Sequence, residues 1–435
     1  MSLPKYREYK ASGLDWVRQV PSHWRRTKTK YVCHFSTGWT PPTGDIAAYQ
    51  GENLWATISD LGKKTIFRTA KRISDSAALQ SRMELVPAGS LMFSFKLSIG
   101  QVSFAGQPMY TNEAIASFRE SSLLSLNFAY YAFPLFLVQN AEENIYGAKL
   151  LNQELIRGAA FTLPPREEQA AIAAFLDRET AKIDALIAEQ EKLVALLAEK
   201  RQAAISHAVT KGLDPKAPMK DSGVAWLGEV PAHWEMKRVK DCGCEVVDCK
   251  NRTPESHDDG DYFVVRTSCV KDGRFNPEPG YWTDEANFVE WTAKGRPRAG
   301  DVLFTREAPT GEACLAPEAL DFCLGQRMMY IRPAKKVLLS EFLLYSIYGG
   351  LARERISEKS KGSTVGHLRV GEVGELPLLV PPLDEQRTLI GFVGEELSRL
   401  RTLAAVSERA IALMTERRSA LIAAAVTGQI DVRNA

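Results

Sequence analysis

The side chains best placed to do chemistry are clusters of cations with amides and short polar loops around them. In the first half, Lys63, Lys64, Arg68, Lys71 and Arg72 crowd into LGKKTIFRTAKR. In the second half, Lys250, Asn251, Arg252, Arg266, Lys271 and Arg274 follow one another closely. Lys96 and Arg306 sit in loops ahead of Gly100 and Gly311, and Lys359 and Lys361 belong to KSKGST. Guanidinium and ammonium groups grip phosphates and donate to guanine edges, while an amide matches adenine. Each of these residues, taken singly, also fits an ordinary solvated surface. As a set they are candidates for nucleic-acid contact. A net charge of +2 over 435 residues requires that any basic face be local.

Bond-making chemistry is harder to find. Gly62-Lys63-Lys64-Thr65 lacks the first glycine of a phosphate loop, because Thr57 stands in its place. The Pro-Pro pairs at 41–42, 164–165 and 381–382 lack the flanking Asn or Asp and aromatic residue that hold a target amine in adenine methyltransferases. No catalytic residue is assigned. The seven cysteines, Cys33, Cys242, Cys244, Cys249, Cys269, Cys314 and Cys323, are odd in number and contain no C-x-x-C pair. That pattern suits a reduced chain and predicts no metal site. His23 and His233 each precede a tryptophan. A buried Trp beside a His with one polar contact makes a packing anchor, and that role is expected of both.

The elements that must position these residues come in duplicate. DWVRQVPSHWRRTKTK at 15–30 matches AWLGEVPAHWEMKRVK at 225–240, with Trp16, Pro21, His23, Trp24 and Lys30 on Trp226, Pro231, His233, Trp234 and Lys240. AGSLMFSFKLSIG at 88–100 matches AGDVLFTREAPTG at 299–311. LPPREEQ at 163–169 matches VPPLDEQ at 380–386, and AVTKGLD at 208–214 matches AVTGQID at 425–431. Matches in one order at nearly constant spacing mean that a unit of half the chain is repeated, far longer than a solenoid repeat.

Each unit opens with a mixed, strand-rich module. SLMFSF, YFVVRT, DVLFT and MMYIR are apolar or alternating runs bounded by turn residues. Each then closes with a long helix. Pro164-Pro165 opens the first, Glu167 and Glu168 suit its positive end, and no proline or glycine interrupts it before Val209. That length is about 65 Å at 1.5 Å per residue. A heptad grid places Ile172, Leu176, Ile183, Leu186, Leu193 and Leu197 on its seam. Val393, Leu397, Leu400, Ile411, Met414 and Leu421 form the seam of the second. The predicted fold is α+β: two tandem modules separated by two long helices in an antiparallel coiled coil, pseudo-two-fold symmetric. The expected boundaries are a first module at 1–162, a central helix at 163–211, a linker at 212–222, a second module at 223–379, and a distal helix with its tail at 380–435.

W-x(4)-P-x-H-W, a variable module, the Pro-Pro-x-x-Glu-Gln segment and a heptad helix, all given twice, resemble the specificity subunits of type I restriction–modification systems. LFTREAPTGE with CLGQRMMYIRP, and MFSFKLSIGQ with TNEAIA, look like the cores of that family's target-recognition domains. The resemblance covers essentially the whole chain. It implies that each module reads one half of a bipartite, asymmetric site on double-stranded DNA. It implies helices that fix the spacing and dock two modification (methyltransferase) subunits, with restriction (translocase and nuclease) subunits joining them. S-adenosylmethionine, ATP and magnesium would then belong to the partners, with no cofactor on this chain. Such a subunit is cytoplasmic and prokaryotic, consistent with the absence of any long apolar run or signal peptide. Two alternatives from other classes stand beside this reading. One is a coiled-coil adaptor without DNA readout; the other is a nuclease or methyltransferase with an unrecognised active site.

Overall fold

Short apolar runs flanked by Gly, Pro and Asp become the strands of two main sheets in each half of the chain. The computed structural model describes residues 4–143, 147, 149–361 and 367–433, with the side chains of 360 and 361 outside the description. It divides into two units. Unit 1 holds Met1–Gln190 with Arg409–Ala435, and unit 2 holds Glu191–Glu408.

In unit 1, the larger sheet has the order Phe35–Thr37, Ile115–Phe118, Leu91–Ser94, Val102–Ala105, Thr65–Ile66. Its strands are antiparallel except the last, which runs parallel to its neighbour. A second sheet places Asn53–Ala56 between a parallel Tyr110–Thr111 and an antiparallel Lys71–Ile73. Leu91, Phe93, Ala116 and Phe118 pack on the helix Leu126–Gln139 through Phe128, Phe133 and Phe136, all fully buried.

Unit 2 repeats this plan. Glu245–Asp248, Met328–Arg332, Val302–Thr305 and Ala313–Leu315 form an antiparallel sheet in the same order. Tyr262–Val265 lies between a parallel Phe322–Leu324 and an antiparallel Tyr281–Thr283. The duplication read from four short motifs therefore extends to the strand order of both sheets, except that Thr65–Ile66 of unit 1 has no counterpart in the four-stranded sheet of unit 2.

The long helices are Arg166–Lys211 and Leu383–Val426. Each is divided between the units. In unit 1, Ile172 and Leu176 near the start of the first share a core with Ala425, Val426 and Val432 at the end of the chain. In unit 2, Ile205, Ala208 and Val209 share a core with Leu389, Val393 and Leu397. Within each unit, then, the start of one helix meets the end of the other, which is antiparallel packing. The expected linker is not free chain: Met219–Asp221 pairs with Glu229–Pro231 and belongs to unit 2.

Of the seam expected of the second helix, Val393, Leu397 and Leu400 are buried and Ile411, Met414 and Leu421 half-buried. The first helix corrects its grid. Ile172, Leu176, Ile183 and Leu197 are buried, but Leu186 is 56% and Leu193 40% exposed. Thr180, Ile187 and Val194 are the more buried positions instead. Leu186–Ile187 and Leu193–Val194 are adjacent apolar pairs, so a heptad grid one residue out still lands on leucine; the phase set by Thr180 decides. No helix among the described residues is long and apolar enough to cross a membrane.

Candidate nucleic-acid interface

The repeated motifs meet in space and hold each module to a helix start. In unit 1, His23 Nε2 lies 2.7 Å from Glu168 Oε2, and Trp24 donates its indole N–H to Glu168 Oε1 at 2.9 Å. Tyr6 donates its hydroxyl to the same carboxylate. Burial, followed by that hydrogen bond, pushes the Tyr6 phenol well above its ordinary range. In unit 2, His233 Nε2 lies 2.7 Å from Glu385 Oε2, and Trp234 is fully buried. The glutamine beside each glutamate does the same work twice. Gln169 accepts from Ser125 N at 2.8 Å and donates to Leu123 O and Pro164 O. Gln386 accepts from Leu339 N at 2.9 Å and donates to Val337 O and Pro381 O. Buried amides that satisfy three backbone groups are structural. The two histidines serve as the hydrogen-bonding anchors expected of them.

The modules differ where the second repeated motif turns. After Leu91–Ser94 and after Val302–Thr305 the chain makes the same loop, closed by Gly100 N donating to Ser94 O at 2.9 Å and Gly311 N to Thr305 O at 2.8 Å. Leu97 and Ala308 occupy the same place in the two loops, with φ of 57° and 50°. Around them the side chains diverge. Phe95 is buried in unit 1, and its counterpart is Arg306. Lys96 is exposed and lies 6.0 Å from the Phe95 ring, and its counterpart is Glu307.

Arg306 therefore does not offer its guanidinium to solvent. It occupies a core-facing position, 9% exposed, and donates to Asp248 Oδ2 at 2.8 Å, Asp248 Oδ1 at 3.0 Å and Asn251 Oδ1 at 3.0 Å. Asn251 is thereby tied to it, although otherwise exposed. Next to it, Glu307 meets Arg327 at 2.6 Å and His367 at 3.0 Å. The hydrogen bond with His367, helped by Arg327, holds the Glu307 carboxyl below the usual carboxylate range. Neither Arg327 nor His367 stands out in the sequence, although CLGQRMMYIRP contains the first. Their signal is the pairing, which needs the fold.

The remaining candidates are at the surface, in varied company. Lys63, Arg68, Arg266, Lys271 and Arg274 are exposed and form no ion pair among the described residues. Lys71 lies 5.8 Å from the Tyr49 ring. Lys64 pairs with Asp177, Arg72 with Glu52, and Lys359 with Glu372. Lys250 and Arg252 share Glu290 and flank the Trp291 ring at 5.1 and 4.9 Å. Lys361 lies outside the described side chains. The exposed pairs hold their cations weakly, which leaves these side chains free to rotate to another partner. Leu97, 91% exposed at a loop tip, and Phe67, 59% exposed, add apolar groups that the charge pattern does not flag.

No group of three or more metal-capable side chains assembles among the described residues. Burial pushes the thiols of Cys33, Cys244, Cys314 and Cys323 up to about 12, far from nucleophilic.

Comparison with known proteins bears on the same two modules. The family model described as the type I restriction modification DNA specificity domain matches residues 21–195 and again 231–392. A Methanocaldococcus jannaschii protein provisionally assigned as the MjaX type I restriction enzyme specificity subunit is 22% identical over 285 residues, 65% of this chain and 62% of that one. The MjaIX specificity subunit of the same organism is 23% identical over 235 residues, 52% of each. The chain thus spans about half to three-fifths of the length of these relatives. Among solved structures, a chain from a study of complex assembly and conformational transition of the type I R-M system superposes with a TM-score of 0.72. It is 17% identical, and the match covers 94% of this chain and 99% of that one. At that identity the likeness is one of fold.

Proposed function

The chain belongs to the type I restriction modification DNA specificity family, and on that premise we propose that it selects the DNA sequence on which a type I restriction–modification complex acts. One observation carries this reading. Two modules share strand order, loop closures and helix clasp, yet place different side chains at the same loop positions, Phe95-Lys96 against Arg306-Glu307. A scaffold kept constant while its loops diverge suits two readers of two different half-sites. Exposed cations such as Lys63, Arg68, Arg266 and Lys271 would supply phosphate contacts and the salt dependence that comes with them.

The chain's own role in this proposal is non-catalytic. Two modification subunits would bring S-adenosylmethionine and methylate adenine, and restriction subunits would bring ATP- and magnesium-dependent translocation and cleavage. The long helices support docking of such partners. Leu186 and Leu413 in unit 1, and Leu193, Leu196, Leu403 and Val406 in unit 2, are 40% or more exposed. Bare leucines on a helical surface favour association. The setting proposed is the cytoplasm of a prokaryote.

Reconstitution tests the reading. The full chain is co-purified with a modification subunit from the same organism and titrated with genomic duplex fragments at several salt concentrations. Sequence-selective binding whose affinity falls steeply with salt is expected. A stable complex that binds all fragments equally would overturn readout and favour the adaptor.

A further inference from the structure

Two carboxylates that balance cations in unit 1 have no counterpart in unit 2. In unit 1, Asp184 accepts from Arg418 Nε at 2.7 Å and from Nη2 at 3.2 Å. Seven residues earlier on the same helix, Asp177 pairs with Lys64 and accepts from the Tyr131 hydroxyl at 2.5 Å. The Glu-Gln pairs at 168–169 and 385–386, with the AVT segments at 208–210 and 425–427, fix the correspondence between the helices. In that register Asp177 becomes Gly394, Asp184 becomes Arg401, and Arg418 becomes Arg201. Unit 2 keeps the cation, loses one carboxylate to glycine and replaces the other with a second cation.

Beside these positions lies a cavity of about 380 Å³, lined in part by Arg201, Arg274, Arg401 and Tyr345. Tyr345 faces the position of the missing carboxylate, since a Cβ on Gly394 would lie 3.8 Å from its hydroxyl. Arg274 arrives from the hairpin formed by Val270–Lys271 and Arg274–Phe275. Arg201 reaches Asp272, donating to its backbone carbonyl at 2.6 Å with its carboxylate 3.8 Å away. Among the described residues, Arg401 donates only to Leu397 O of its own helix, at 2.9 Å. Glu341 lines the cavity and Glu408 an adjoining hollow, yet neither is within ion-pair distance of the three guanidiniums among the described residues. Burial, then Arg274 and Arg201, make the charge on Arg401 harder to hold than usual.

We propose that this cavity is a phosphate-binding site, in which Arg201, Arg274 and Arg401 converge on one oxyanion. Guanidinium forks match phosphate oxygens in pairs, and a dianion relieves the mutual repulsion of three cations better than a single carboxylate. The phosphate has two candidate sources. One is the backbone of a bound duplex, which rests on the DNA reading above; the other is a free phosphate compound, which does not.

The test compares the full chain with Arg401→Asp, which writes the charge pattern of unit 1 into unit 2, and with Arg274→Gln on the exposed hairpin. Thermal melts are run in inorganic phosphate against chloride at matched ionic strength. The unaltered chain is expected to melt higher in phosphate, and both variants to lose that shift, with binding weakened about ten-fold or more. In chloride, Arg401→Asp should melt no lower than the unaltered chain, because it gains a partner for Arg201. An equal phosphate shift in all three proteins overturns the proposal. If free phosphate leaves the unaltered chain unmoved, salt titrations of duplex binding decide. A salt slope lower by about one in each variant identifies a backbone phosphate, and equal slopes overturn the proposal. A chain that binds no duplex at all would sink the DNA reading, and the phosphate melts alone would then decide whether the cavity holds an oxyanion.

Discussion

Trp24 donates its indole N–H to Glu168 at 2.9 Å, whereas the matching indole of Trp234 has no hydrogen-bond partner among the described residues. The same motif is thus held at different strengths. Glu168 is 5% exposed and takes three donors, while Glu385 is 28% exposed and is met by His233. Glu168→Ala should lower stability by about 3 kcal/mol, because Tyr6 and Trp24 lose their buried acceptor. Glu385→Ala should cost about 1 kcal/mol or less. Urea midpoints measure both; equal losses would mean that the two clasps are equivalent.

Acid should weaken both units. The Glu307 carboxyl is lowered chiefly by its hydrogen bond with His367, and that of Asp431 chiefly by its hydrogen bonds with Arg433. A carboxylate lowered in the folded state contributes its stability in full above its unfolded value, about 4, and loses it as pH falls from there through the folded value. Melting temperature should therefore drop below about pH 4, and Glu307→Gln should shrink that drop. An unchanged acid profile in the variant would contradict this role for Glu307.

The corrected seam separates two neighbouring positions of the first long helix. Ile183 is 8% exposed and Leu186 56%. Ile183→Ala should cost about 2–3 kcal/mol from lost burial and a partly open cavity. Leu186→Ala should stay within about 0.5 kcal/mol in the isolated chain, while weakening association with a modification subunit. A large stability loss at Leu186 would restore the heptad grid read from the sequence.

Among the cations, Arg306 and the pair Lys63 and Arg68 should behave oppositely. Arg306→Ala leaves Asp248, 23% exposed, without its partner, and should cost about 2 kcal/mol of stability. Lys63→Ala with Arg68→Ala should leave the melting temperature alone and lower the salt slope of DNA binding by about two. Filter-binding titrations and melts on the same preparations distinguish the outcomes; a stable Arg306→Ala protein with a reduced slope would return Arg306 to the surface set.

The architecture was legible because duplication leaves matched residues in one order, and the strand order of both sheets follows those matches. The phase of the first helix was not, since Leu186–Ile187 and Leu193–Val194 satisfy either of two adjacent grids. Arg306 reads as a loop cation by its charge, although the match of 88–100 with 299–311 places it on Phe95; that this position is buried is revealed only by the fold. The clasp was half legible. The repetition of His23 and Trp24 as His233 and Trp234 suggests an anchor, but the partner Glu168 is 145 residues from His23 and is found only by folding the chain. The cavity of Arg201, Arg274 and Arg401 emerges only when the two helices are placed in register.

Methylation mapping tests the central claim most directly. The chain is expressed with a modification subunit from the same organism in a host free of other adenine methylation, and modified bases are read by long-read sequencing. A second strain carries residues 223–379 exchanged for the corresponding module of another family member. Modified adenines are predicted in a split, asymmetric motif of which one half changes with the exchange and the other stays. A stable complex that yields no modified motif, or an exchange that alters both halves together, would contradict two independent readers on one chain.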